Sequence, residues 1–352
     1  MSPRPVGFYV HHHGSGHANR TRLLADRLPP NVSVHVFTSA RELFAGWERG
    51  IVHELPPDTT PGRDPEDDLL AEEILHYAPV DAPGLQQRMA RMADWIAEHQ
   101  PSLFVVDLSV EVLLLVRLCG APTALVRLHG RRDDPAHRAA FRLAGRLIAP
   151  FPPSLEDEHT PDWVRQKTHY LGAISRYDHR SETKIDCRHN LGLSAQARVL
   201  TVINGTGGGA QEIGRWEAVA RACPDWTVLL VGKLATRQQT PENLRCVGYV
   251  PDTYPYLKAA DVVVGSGGTN TMMEIGAARA PFLSLPEPRP FDEQLCKMRA
   301  LERLGLTRIV DPALPESEWA ILLKAALRQD TRVWEDLFAW RPDASEIFGD
   351  PR

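Results

Sequence analysis

Short runs of β-branched and apolar residues alternate along this chain with longer segments whose apolar positions recur at helical spacing. Runs of the first kind stand at Val6–Val10, Val32–Phe37, Leu103–Val106 and Thr123–Val126, and a second set follows at Val199–Asn204, Thr227–Val231, Val262–Val264 and Pro281–Leu285. Apolar runs this short and this continuous read as parallel strands buried on both faces, because a strand with one wet face would alternate. Around them Asn19–Leu28, Leu85–His99, Val110–Cys119, Gln211–Arg221, Thr269–Ala278, Asp292–Leu304 and Glu316–Leu327 are predicted as helices. The order is that of repeated βαβ units, so the fold class is α/β with parallel sheets.

Gly172–Asn190 breaks the pattern, being rich in turn formers and charge without a period, and reads as a linker. The chain then divides into an N-terminal domain (1–172), a linker (173–190) and a C-terminal domain (191–331). Its 352 residues are too many for one ordinary core, and 43% hydrophobic with 24% charged residues excludes a disordered or fibrous chain. The net charge of −5 argues against a nucleic-acid partner held by counterion release. Cys119, Cys187, Cys223, Cys246 and Cys296 are scattered with no Cys-x-x-Cys pair, which reads as reduced thiols of a cytoplasmic protein and no metal or redox centre. Val6–Val10 is far too short for a signal-peptide core, and no apolar stretch is long enough to span a bilayer. The acidic run Asp64–Glu73 either opens a helix whose dipole it complements or forms a surface loop facing a cleft.

Candidate chemistry gathers where strands end. Gly14-Ser15-Gly16-His17 follows the first strand, at the edge where open α/β sheets bind ligands, and Asn19 in place of a third glycine excludes a dinucleotide fingerprint. His17 is either a helix-start hydrogen-bonder or a functional imidazole. Asp107 ends the strand Leu103–Val106, so its carboxylate should emerge at the same edge; pairing would fix the tautomer of His17 and make it a base near neutral pH. The other reading is a cap on the helix from Val110. Asn204-Gly205-Thr206-Gly207-Gly208-Gly209 and Gly265-Ser266-Gly267-Gly268-Thr269-Asn270 each join a strand to a helix without the Lys-Ser/Thr ending of a P-loop. They are either plain tight turns or backbone N–H cradles for one phosphate-bearing ligand. Glu274, four residues after Asn270 on one helix face, is placed to accept a ribose diol. Asp292 reads as a helix cap, leaving Glu293 and Gln294 for sugar hydroxyls. Arg127–Arg132 is either near a second substrate or merely solvated.

Together these residues resemble the GT-B nucleotide-sugar glycosyltransferases of families 28 and 1, especially the group of the peptidoglycan UDP-GlcNAc transferase. The run Val247-Gly248-Tyr249-Val250, then Ala260–Val264, Gly268, Thr271, Glu274 and Glu293-Gln294, is similar to that group's donor signature in order and spacing. The resemblance implies two Rossmann-like doubly wound domains facing a central cleft, with a last helix at about 332–352 packed back on the N-terminal domain. It implies that Val247, Gly248, Tyr249 and Val250 hold the base and that Ser266, Gly267, Gly268, Thr269 and Asn270 hold the diphosphate. Glu274 would then hold the ribose and Glu293 and Gln294 the sugar, with Gly205, Thr206, Gly207 and Gly208 as a second phosphate-facing loop. On the acceptor side, Ser15 and Gly16 belong to the loop presenting a catalytic His17 supported by Asp107. Ser266 departs from plant-type members, which carry a phosphate-binding histidine there.

The absence of Asp-x-Asp fits a metal-independent enzyme, and neither metal nor cofactor is expected. The implied activity is inverting transfer from a nucleotide diphosphate sugar, a UDP-sugar by analogy, to a hydroxyl of a small-molecule or lipid-linked acceptor. A UDP-sugar hydrolase, similar to that of pseudaminic acid biosynthesis, and a non-catalytic nucleotide-sugar binding subunit are the other readings. Peripheral membrane association follows from the analogy alone, since no basic amphipathic helix supports it.

Overall fold

The computed structural model describes residues 3–12, 15–59, 62, 64, 74–203, 213–233, 240–340 and 348. It divides into two compact units, one of Met1–Pro152, His159–Gly172 and Arg341–Arg352 and the other of Pro153–Glu158 with Ala173–Trp340.

The first unit is a seven-stranded parallel sheet in the order β3-β2-β1-β4-β5-β6-β7. Its strands are β1 (Val6–Tyr9), β2 (Val34–Thr38), β3 (Ile51–Glu54), β4 (Leu103–Asp107), β5 (Thr123–Val126), β6 (Arg146–Ala149) and β7 (Thr168–Tyr170). Helices α1 (Ser15–Ala25), α2 (Pro83–His99), α3 (Val110–Leu118), α4 (Pro135–Leu143) and α5 (Asp162–Lys167) connect them. Phe8, Val36, Phe104, Val105 and Val106 are buried, as strands covered by helices on both faces require. β1 lies between β2 and β4, so the winding reverses there, and the crevice at such a switch point opens at the carboxyl ends of the two strands. Tyr9 is level with Val106, which brings the start of α1 beside Asp107.

The second unit repeats the plan as a six-stranded parallel sheet, β10-β9-β8-β11-β12-β13. Its strands are β8 (Arg198–Ile203), β9 (Trp226–Val231), β10 (Leu244–Gly248), β11 (Val262–Gly265), β12 (Phe282–Ser284) and β13 (Arg308–Ile309). Its helices are α6 (Lys184–Asn190), α7 (Ile213–Ala222), α8 (Tyr254–Ala259), α9 (Thr269–Ala278), α10 (Glu293–Arg303), α11 (Trp319–Ala326) and α12 (Val333–Ala339). The switch point lies between β8 and β11, whose carboxyl ends lead into the two glycine-rich turns.

Residues 173–190 are part of the second unit rather than a free linker. α6 starts on a capping box between Thr183 and Asp186, and its buried Arg188 binds Asp261 at 2.7 Å. Of the expected terminal helix at about 332–352, α12 lies in the second unit, where the Trp334 ring covers Gly276 so closely that a Cβ there would sit 2.5 Å from it. Residues 341–347 and 349–352, and most of the acidic run, 65–73, lie outside the described residues. No described helix is long and apolar enough to cross a membrane.

One buried polar cluster makes stability depend on pH. His35 Nδ1 meets His53 Nε2 at 2.9 Å, and both rings lie against an aromatic core of Phe37 and Trp95. Burial, with His53 and His99 nearby, lowers the pKa of His35 to about 4. Burial also lowers that of His53. The unfolded chain therefore takes up protons below about 6.5 that the folded chain refuses, and stability is lost as pH falls from there toward 4. The urea midpoint should fall across that interval, and less steeply in His35→Gln; an equal slope in parent and variant would contradict the assignment.

Candidate active site

In the first unit the site is built on α1. His17 Nδ1 lies 2.9 Å from Asp107 Oδ2, while Arg20, one turn further along the same helix face, reaches both Asp107 oxygens at 2.8 Å. Arg20 Nη2 is also 3.0 Å from His17 Nδ1. The Asp107 side chain is only 3% exposed and that of His17 16%. Burial pushes the Asp107 pKa up, but the Arg20 and His17 charges and hydrogen bonds outweigh it and hold the carboxyl well below its usual range. An ionised carboxylate only accepts and a guanidinium only donates. A proton on His17 Nδ1 is donated to Oδ2 and leaves Nε2 as the basic nitrogen, whereas a proton on Nε2 leaves Nδ1 to accept from Arg20. Asp107 does not cap α3; that role falls to Ser109, whose side chain accepts from the Val112 amide.

The surroundings are rich in imidazole. His11 stacks on His12 at 4.9 Å and lies 5.5 Å from His17. Asp58 takes His12 at 4.0 Å and a close contact from buried Arg88. Ser15 and Gly16 form the first turn of α1; Gly14 lies outside the described residues. Arg127 is not solvated: it is buried against the rings of Phe151 and Tyr170 and donates to Thr168 Oγ1 at 2.8 Å.

In the second unit the turn after β11 is clamped from beneath by α10. Gln294 Oε1 accepts the amides of Gly267 at 2.9 Å and Glu287 at 2.8 Å. Lys297, with a side chain 1% exposed, donates to Gly267 O at 3.0 Å, Thr269 Oγ1 at 2.7 Å and Glu293 Oε1 at 3.2 Å. Gly267 has no room for a side chain, since a Cβ would stand 2.8 Å from that of Gln294. The Gly267 amide is thus already committed, while Gly268 is the N-cap of α9 and makes no side-chain cap hydrogen bond, and Ser266 is buried beside it. Asp292, expected to cap α10, makes no cap hydrogen bond because its backbone is left-handed at φ 52°. Glu274 is buried; its Oε1 accepts from Arg176 Nε at 2.8 Å and its Oε2 from Thr253 Oγ1 at 2.9 Å. Burial raises its pKa, and Arg176 works against the rise. Val247–Val250 run off the end of β10 through Gly248 at φ 81°, with Tyr249 63% exposed. Gly205, Thr206, Gly207 and Gly208 lie outside the described residues.

Sequence reading missed Arg20, Arg176 and Lys297. For two of them a local signal existed, Arg20 three residues after His17 and Lys297 four after Glu293, whereas Arg176 fell in the stretch read as linker. No metal-ligand set was expected either, yet the fold gathers His76, Asp134 and His137, drawn from segments too far apart to show as a motif.

Two open parallel sheets, each with a switch point at its carboxyl edge, are the plan of the GT-B glycosyltransferase fold, and solved structures of that class match. The spinosyn rhamnosyltransferase SpnG complexed with thymidine diphosphate has a TM-score of 0.71 at 16% identity, covering 97% of this chain and 98% of that one. MurG of Acinetobacter baumannii gives 0.67 at 13% identity over 98% of each chain. In sequence, residues 230–317 match the glycosyltransferase family 28 C-terminal domain. The chain is similar at 36% identity over 75 residues to an uncharacterized glycosyltransferase of Methanosarcina acetivorans, a match covering 21% of this chain and about a fifth (20%) of that relative's length. It is similar at 26% identity over 299 residues, 72% of this chain and 77% of the other, to the UDP-N-acetylglucosamine–N-acetylmuramyl-(pentapeptide) pyrophosphoryl-undecaprenol N-acetylglucosamine transferase of Desulfitobacterium hafniense. The chain thus has the GT-B fold, and its residues 230–317 carry a glycosyltransferase family 28 C-terminal domain.

The clamp under the glycine turn generates a stability prediction. Gln294→Leu leaves the Gly267 and Glu287 amides without their acceptor, and each such buried group costs about 1–3 kcal/mol. Urea denaturation should show a loss within that range or above it; a loss under about 0.5 kcal/mol would mean that the turn holds itself.

Proposed function

We propose that this chain is an inverting, metal-independent glycosyltransferase that moves a sugar from a nucleotide diphosphate sugar, UDP-linked by analogy with its peptidoglycan relatives, to the hydroxyl of a small-molecule or lipid-linked acceptor. The observation that carries the reading is the His17–Asp107 pair, 2.9 Å apart at the ligand edge of a sheet, in a chain that also bears a family 28 C-terminal domain. His17 Nε2 takes the proton from the acceptor hydroxyl as its oxygen attacks the anomeric carbon, on the face opposite the departing diphosphate. Asp107 stabilises the imidazolium that forms, and Arg20 keeps Asp107 ionised so that the proton stays on His17.

The transition state has oxocarbenium character, as in glycoside hydrolysis. Negative charge develops on the leaving diphosphate. The amides at the start of α9 and the Thr269 hydroxyl answer it; because that oxygen accepts from Lys297, its proton is directed to the ligand. Glu274, where Arg176 opposes the rise that burial gives its pKa, holds the ribose hydroxyls, and the Tyr249 segment holds the base. Glu293 receives the sugar, while Gln294 acts through the turn it anchors.

A general base contributes roughly 10²–10⁴-fold, so His17→Ala should lower turnover by that order while calorimetric affinity for the nucleoside diphosphate stays within about twofold. Unchanged turnover would remove His17 from the chemistry, and fast nucleoside diphosphate release without an acceptor would identify a hydrolase instead. Glu274→Ala should have the opposite profile: weaker nucleotide binding by about tenfold or more, since a charged hydrogen-bond partner contributes roughly 1.5–3 kcal/mol. Unaltered affinity would sink the ribose assignment.

A further inference from the structure

The fold also collects a set of ligand-type side chains at the strand end beside β4. Asp134 caps α4, its Oδ1 accepting the His137 amide at 3.0 Å, and two imidazoles face the same carboxylate. His76 Nε2 stands 2.8 Å from Oδ1 and His137 Nδ1 2.6 Å from Oδ2. The ligand atoms of the three residues all lie within 4.8 Å of one another. The backbone carrying His76 is pinned as well. Glu111, in the first turn of α3, accepts the amides of His76 at 2.7 Å and Tyr77 at 3.1 Å.

We propose that His76, Asp134 and His137 form a binding site for a divalent transition-metal ion of the zinc class. Imidazole nitrogen with carboxylate oxygen is the donor set such ions take, and three protein ligands leave a position for an outside oxygen. With metal–ligand bonds of about 2.0–2.1 Å, neighbouring ligand atoms in a tetrahedral site stand roughly 3.3 Å apart. The pairs now bridged by protons at 2.8 Å and 2.6 Å therefore have to open only slightly. Asp134 and His137 share one helix start and His76 is tied to another, so little backbone has to be ordered on binding.

Arg132 competes with the ion. Its Nη1 lies 2.9 Å from His137 Nε2, and because a guanidinium only donates, Nε2 is the acceptor and Nδ1 carries the proton. Metal at Nδ1 moves that proton to Nε2, with none gained or lost overall, and two donors would then face each other. Arg132 must turn away. His76 makes the corresponding exchange, its proton passing from Nε2 to Nδ1. Neither change involves the leaving diphosphate, to which this ion is not assigned.

The test uses the full chain, stripped with chelator, then titrated with Zn²⁺ by calorimetry and with Co²⁺ followed by its visible d–d absorption. One ion per chain with a tetrahedral-type Co²⁺ spectrum is expected. His76→Ala and His137→Gln should each weaken it by at least the roughly 10–100-fold that loss of an outer partner costs. Asp134→Asn keeps a good helix cap, so a folded variant that has lost the ion isolates the carboxylate as ligand. Arg132→Gln should tighten binding by about tenfold, which a merely structural cluster would not do. With 14 histidines in the chain, weak surface uptake is the background. Binding of the same strength in the parent and in folded Asp134→Asn overturns the site, and unchanged affinity in Arg132→Gln overturns the competition.

Discussion

Asp107 ends the central strand β4 with its carboxylate almost wholly out of water, and a charge in that position has to be matched or given up. Both matching groups come from α1, where Arg20 and His17 lie on one face, and α1 starts beside Asp107 only because β1 and β4 are neighbours at the switch point. Arg20 alone would satisfy the charge and leave an inert buried pair. His17 adds a titratable group whose orientation the buried pair dictates, and it is the more exposed of the two partners that Asp107 holds. The proposed chemistry would thus draw on the same three side chains that make the site rigid.

The second unit meets the same requirement differently. Its glycine turn after β11 rests on a buried ammonium, Lys297, and a buried amide, Gln294, which together hold the turn's backbone in one conformation. A turn held in advance can present its amides and the Thr269 hydroxyl to an anion without reorganising as charge develops. Glu274 is positioned in the same manner, by Arg176 and Thr253.

Central strands were legible because continuous burial leaves an unbroken apolar run, as in Leu103–Val106 and Val262–Val264. β3, β7, β10 and β13 were not, since edge strands are half exposed and their composition is that of loops, and the inner β6 was also missed although Leu147, Ile148 and Ala149 are buried. The His17–Asp107 pair could be read because each residue ends or follows a strand whose neighbour relation the GT-B pattern supplies. Arg176 could not, because its meaning depends on Glu274, 98 residues away. For Gln294, position along the chain did not show that its Oε1 accepts the Gly267 and Glu287 amides.

The central claim is that Asp107 holds His17 with its proton on Nδ1, against the donor Arg20 beside it, and leaves Nε2 available to an acceptor. Nitrogen-15 NMR of histidine-labelled protein, with the His17 signals assigned by His17→Gln, measures this directly. The account predicts that the neutral ring is protonated at Nδ1, and that Asp107→Asn, with the fold intact, shifts the tautomer balance. A neutral His17 protonated at Nε2, accepting from Arg20 at Nδ1, would contradict it.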